Sequence, residues 1–161
     1  MTRTHNTPNK QSQWLFRASA ILWVIWGLVH LVAGLMTTKL ISSAQTAEAM
    51  HGILSAVELS ALELSYTPAI EAVLLQHAFN LGWFGLVTVI AGVLVWRRNT
   101  TAVMFASIVG GLADTGYFLC VDLGGFALPP GPQMTWICAA AILTGVAAAW
   151  REKRGAETHA T

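Results

Sequence analysis

Residues 18–36, ASAILWVIWGLVHLVAGLM, run for nineteen positions without Asp, Glu, Lys or Arg. That is close to the ~20 residues a helix needs to cross the hydrocarbon core of a bilayer. Three further runs are similarly apolar: 78–96 (AFNLGWFGLVTVIAGVLVW), 101–123 (TAVMFASIVGGLADTGYFLCVDL), whose only charged residues are Asp114 and Asp122, and 133–150 (QMTWICAAAILTGVAAAW). The second is expected to begin earlier, near 75. None alternates with period two, so each reads as a helix rather than a strand. In lipid only helices and closed barrels satisfy their own backbone polar groups. The expected fold is therefore all-α, a membrane-embedded up-down four-helix bundle.

Composition agrees. Of 161 residues 55% are hydrophobic and 11% charged, against roughly 45–50% and about 25% in soluble domains. A soluble fold this small buries the smallest fraction of its surface and could not hide so much apolar area. The net charge of +1 and the lack of a basic tract give no support to a nucleic-acid partner.

The basic residues set an orientation. Arg3, Lys10 and Arg17 precede the first run, Arg97 and Arg98 separate the second from the third, and Arg151, Lys153 and Arg154 follow the fourth. With four spans these share one side and Lys39 alone lies opposite. The positive-inside rule then places both termini in the cytoplasm, with the cell's inner (plasma) membrane as the location. Trp14, Trp96 and Trp150 fall at the inner boundary, where indole rings prefer to sit. A cleaved signal peptide ending near Ser42-Ser43-Ala44 is the competing reading. The first run is longer than the ~7–15 apolar residues of a signal peptide.

Residues 1–13 are expected to form a flexible cytoplasmic start, 14–151 a single four-span domain, and 152–161 a flexible cytoplasmic tail. RRNT (97–100) makes a tight inner turn, with Thr100 or Thr101 offered as helix cap. GGFALPPGP (124–132) makes an outer loop. Between the first two spans, AEAMHGILSAVELSALELS (47–65) spaces Ala47, Met50, Leu54, Val57, Ala61 and Leu64 at three- and four-residue steps. That pattern predicts an amphipathic helix on the outer face. Pro68 suits the first turn of the next helix, with Thr67 as its cap.

Polar residues inside the spans are the candidate site. Asp114 lies ~13 Å below the outer end of the third span and His30 ~10 Å below that of the first, at 1.5 Å per residue. Asn80 sits near the outer end of the second. A carboxylate at a span centre costs ~2.5–3.5 kcal/mol on insertion scales, so Asp114 is expected to face inward and to have a partner. Gly110, Asp114 and Tyr117 line one side of the third helix; Gly27, His30 and Gly34 line one side of the first. The expected intramembrane cluster is His30, Asn80, Asp114 and Tyr117, with a His30–Asp114 contact completed by Asn80 or Tyr117. Its functions range from fixing helix register to a proton relay or substrate site.

Two ligand sets are weaker alternatives. His30 and His77, on neighbouring spans with Gly82 and Gly85 nearby, suggest haem b held by two histidines. His51 and Glu58, with His77, Glu63 and Glu71, suggest an outer metal site of imidazole and carboxylate; solvated charges on an amphipathic helix are the simpler reading. Cys120 and Cys138 are expected as free buried thiols, a bridge between them being the alternative. Nucleophile elbows, phosphate loops and dinucleotide fingerprints are lacking.

In WGLVHLVAGL (26–35), NLGWFGLVTVIAGVLVW (80–96) and the GYF, LPPGP and Trp136 of the last hairpin, the chain resembles small four-span bacterial membrane proteins. These share a histidine in the first span, an aromatic-glycine second span and a proline-containing last outer loop. The end of the first span, GLMTTKL (34–40), is also similar to DoxX-like proteins, but the later spans are not. Neither resemblance implies catalytic residues. The expected function is that of a non-enzymatic accessory or self-associating module. Its partners would be the bilayer, other copies or a larger membrane complex. The alternative is a small proton-linked carrier or lipophile- or haem-binding protein using His30 and Asp114.

Overall fold

The computed structural model describes residues 10–158, which are helical with no strand among them. The elements are α1 (Lys10–Ser42), α2 (Thr46–Ile53), α3 (Leu59–Leu62), α4 (Pro68–Trp96), α5 (Thr100–Tyr117), a π-helical turn (Phe118–Asp122) and α6 (Gly131–Thr158). Four helices are long and apolar enough to cross a membrane, and they contain the four runs read from the sequence except Leu123, which falls in the turn after the third.

Two helices outrun expectation. Among the described residues α1 is already helical at Lys10, and its polar first turns dock: the buried Ser12 hydroxyl donates to the Ala148 carbonyl at 3.3 Å. α6 continues to Thr158, the good helix formers Arg151, Glu152, Lys153 and Arg154 carrying it past Trp150. Residues 10–13 and 152–158, assigned by sequence to flexible ends, are thus helical; residues 1–9 and 159–161 lie outside the described ones.

α4 begins as expected, with Pro68 in its first turn and Thr67 Oγ1 accepting from the Ile70 amide. The cap of α5 is a correction. Asn99, not Thr100 or Thr101, fills the position, its Oδ1 accepting from the Ala102 amide at 3.0 Å. Asparagine outranks threonine there because its carbonyl reaches the free amides more readily.

The outer segment also departs from the single helix expected over 47–65. It breaks into α2 and α3, separated by a bend over 54–58. Two contacts hold the bend: His51 Nδ1 donates to the Val57 carbonyl at 3.0 Å, and the Ala56 amide donates to the Phe126 carbonyl of the outer loop at 3.0 Å. The stripe therefore does not form one apolar face. Met50, Leu54 and Val57 are half-buried, whereas Ala61 and Leu64 are exposed.

The four long helices close a ring in the order α1–α4–α5–α6, with the closest association between α1 and α4. That seam has a clear chemical cause. On α1, Ala20, Gly27 and Gly34 recur every seven residues; on α4, so do Ala78, Gly85 and Gly92. A Cβ added at Gly27 would meet the Gly85 carbonyl oxygen at 2.6 Å, one at Gly34 the Ala78 oxygen at 2.6 Å, and one at Gly92 the Ala20 oxygen at 3.1 Å. The helices thus touch backbone to backbone at three levels. Small residues on both helices admit this close van der Waals approach.

Two buried clusters fill the ring. One joins Phe16, Ala20, Val95, Ala102, Val103 and Ala148, bringing the start of α1, the end of α4, the start of α5 and the end of α6 to one pole. Arg17, Arg97, Arg98, Arg151 and Arg154 therefore share that pole. Arg17 lies over Trp96 at 5.3 Å, Arg154 over Trp150 at 3.8 Å, and Arg98 pairs with Glu152. The second cluster, Trp23, Trp26, Ala91, Ala106, Cys138 and Ala141, occupies the middle.

The exterior is apolar: Ile25, Val32, Phe79, Ile90, Ile108 and Leu143 all face outward, drawn from each of the four helices.

Candidate functional site: the Asp114 cluster

Asp114 is buried, with 6% of its surface exposed, on the inner face of α5. Its partner comes from α1. Trp26 Nε1 donates to Asp114 Oδ2 at 2.9 Å across the ring, and both groups are buried. The Cys138 side chain of α6 is close to the same carboxyl group. Three of the four long helices therefore meet at one carboxyl group, and its partners meet the cost of taking it out of water.

Around this point α1 supplies a stack of rings at helical steps. The His30 imidazole lies nearly flat on the Trp26 indole, centroids 3.7 Å apart with 23° between planes. Its Nδ1 is 2.8 Å from the Trp26 carbonyl oxygen. A carbonyl only accepts, so Nδ1 carries the proton and Nε2 is left as the outward-facing nitrogen of the ring. Trp23 meets Trp26 edge-on at 6.0 Å and 81°. The far edge of Trp23 rests on Gly110 of α5, where an added Cβ would come within 2.7 Å of Trp23 Cη2. The glycine one turn before Asp114 thus makes room for the aromatic floor. Trp23 Nε1 is buried without a hydrogen-bond partner.

Of the expected cluster, the structure brings His30 and Asp114 to one level but not into contact. Trp26 stands where direct pairing was expected, and His30 remains within electrostatic range of Asp114. Asn80 is engaged elsewhere: its Oδ1 accepts from Trp83 Nε1 of its own helix at 3.1 Å. The Tyr117 hydroxyl lies against Gly131, within electrostatic range of both Asp114 and Asp122. Neither Asn80 nor Tyr117 bonds to Asp114.

Just beyond Tyr117 the helix widens into the π-helical turn, whose Leu123 amide donates to the Phe118 carbonyl five residues back. Such turns occur often at functional sites. Here it faces Asp122 toward α6, where Oδ2 accepts from Thr135 Oγ1 at 3.1 Å.

The outer metal-ligand set is not assembled. Among the described residues, no three of His, Cys, Asp and Glu gather as they would around a metal ion. His51 is committed to the Val57 carbonyl, Glu58 sits at the start of α3, and Glu71 accepts from Thr46 Oγ1 at 2.9 Å. His77 is near enough to His30 for their charges to interact. The Gly27–Gly85 and Gly34–Ala78 contacts bring α1 close to α4 on either side of His30. Cys120 and Cys138 are both free thiols, the first exposed rather than buried as expected, the second buried.

Trp23, Trp26 and Cys138 were not among the sequence candidates. A signal for Trp26 was present: an indole N–H is a donor with no acceptor capacity, and inside an apolar span it needs an acceptor on another helix. Asp114 was the one carboxylate deep in a span.

Two surface grooves flank α4, of about 350 and 470 Å3. Both lie toward the basic pole, and neither is lined by any residue of the Asp114 cluster. The chain matches no protein-family model, no curated protein and no solved structure.

Proposed function

We propose that this chain is a multi-pass protein of a bacterial inner membrane. Its basic pole and both termini are cytoplasmic, and it serves as a non-enzymatic accessory or self-associating module. The inverted distribution of polarity carries the reading. Apolar side chains cover the outside of all four long helices, while the deep carboxylate is turned inward and bonded to Trp26. An apolar exterior of this extent suits lipid as solvent. The bundle then lies across the bilayer, with Trp14, Trp96 and Trp150 at the cytoplasmic boundary.

Within this reading the Asp114 cluster is a clasp that sets how α1, α5 and α6 meet. Neither groove opens onto it, and its hydrogen bonds run between helices rather than toward a vacant pocket. The test pairs membrane fractionation with cross-linking in native membranes, using wild type and Asp114→Asn. The expected result is a carbonate-resistant membrane protein that cross-links to itself or to one defined partner. Asp114-dependent proton flux in proteoliposomes, with assembly unaltered, would overturn the module reading.

That outcome belongs to the second reading, a small proton-linked carrier or lipophile-binding protein. The observation favouring it is His30, which keeps Nε2 unengaged within electrostatic range of both Asp114 and His77.

A further inference from the structure

The groove of about 470 Å3 between α1 and α4 is apolar along its length and cationic at one end. Its floor is Ala20 and Gly92, where the glycine lets the two backbones touch and the exposed side chains on either side stand above them. Ile21 and Ile25 form one wall, Val93 and Trp96 the other, and all four are exposed. Arg97 closes the end at the basic pole. Arg17 does not line the groove, but its guanidinium is held over the ring of Trp96, which does, 5.3 Å from the centroid. From Ala20 to Ile25 the groove follows α1 for about 8 Å at 1.5 Å per residue.

We propose that this groove binds an anionic glycerophospholipid of the leaflet that meets the basic pole. One acyl chain lies along Ala20 and Gly92, and the headgroup phosphate sits between Arg17 and Arg97. The inference rests on the membrane reading above and adds to it a specific lipid site. Charge complementarity selects the occupant. An apolar slot alone would take any chain, but one guanidinium in its lining and a second over its Trp96 wall match a phosphate, which they can bind in a bidentate manner. Trp96 lies where an amphipathic ring favours the headgroup boundary, and the cation–π contact fixes the direction of Arg17. Juxtamembrane basic residues attract anionic lipid in general. What this structure adds is a groove in register with two of them.

The experiment is native mass spectrometry of the full-length protein in mild detergent, with phosphatidylglycerol or phosphatidylcholine added at equal concentration. Wild type is expected to retain phosphatidylglycerol several-fold better. Arg17→Gln with Arg97→Gln removes that preference but keeps weak, equal binding of both lipids. Ile21→Trp, which fills the groove from its exposed wall, lowers retention of both. Glycerol phosphate without acyl chains does not compete. Equal retention of the two lipids by wild type, or an undiminished preference in the double variant, overturns the proposal. Competition by glycerol phosphate at the same concentration reassigns the mouth to a free anion and also overturns it. Carbonate extraction of the expressing cells separates the two readings. Protein in the membrane pellet without lipid preference refutes this site alone; protein in the supernatant refutes both.

Discussion

Trp26 and Asp114 are 88 residues apart in sequence and 2.9 Å apart in space, indole N–H to carboxylate oxygen, inside an apolar ring of helices. The indole also supports His30 on its face and meets Trp23 on its edge. One side chain of α1 therefore fixes the position of two others and of the α5 carboxylate.

Replacing Trp26 by Phe keeps much of the ring packing but removes the donor. A buried acceptor deprived of its partner costs about 1–3 kcal/mol, more when charged. Asp114→Asn retains an oxygen that accepts from Nε1 and is expected to cost less. The double variant Trp26→Phe with Asp114→Leu should be milder than the sum of its parts, because neither polar group is then left alone. Unfolding in mixed micelles followed by circular dichroism measures these variants together with Asp114→Leu alone.

The glycines of α4 should differ sharply although they are neighbours. At Gly85 an added Cβ strikes α1 backbone, 2.5 Å from the Leu31 amide nitrogen, whereas at Gly82 it meets nothing within 4 Å. Gly85→Ala is expected to destabilise by about 1–3 kcal/mol, the usual range for overpacking. Gly82→Ala should be neutral or slightly stabilising through helix propensity. The same micelle assay, run side by side, reads the contrast.

The start of α5 gives a cap test. Asn99→Ala removes the acceptor for the Ala102 amide and should cost about 1 kcal/mol. Thr100→Ala and Thr101→Ala should cost only tenths of that. Proteolysis at the 97–100 turn, and thermal midpoints in detergent, would register the difference.

The two thiols should react unequally. Cys120 is exposed and Cys138 buried beside Asp114. In mild detergent, N-ethylmaleimide is expected to modify Cys120 while Cys138 resists until the protein is unfolded. Mass spectrometry of peptides counts the label at each site.

The apolar helices were legible because each signal was local: run length and the lack of charge. The start of α4 at Thr67-Pro68 was likewise written in two adjacent residues. Asp114's need for a partner followed from the cost of a carboxylate in a span. Its partner's identity did not, because sequence favoured the ionisable His30 over Trp26, which looks like an ordinary apolar residue unless its donor is counted. The break at 54–58 was hidden for another reason: it depends on Phe126, whose carbonyl takes the Ala56 amide from 70 positions downstream. The seven-residue recurrence on α1 and α4 was visible in the letters, yet its meaning needed both helices in antiparallel register.

That register has an arithmetic consequence. Ala20 with Gly92, Gly27 with Gly85 and Gly34 with Ala78 all sum to 112. One residue inserted between Ala20 and Gly34 would turn everything beyond it by about 100° and lift it by 1.5 Å. Each later small side chain would then miss its opposite number. Length inside these two stretches is thus frozen, while the connection from 43 to 67 is free to grow or shrink without disturbing the match.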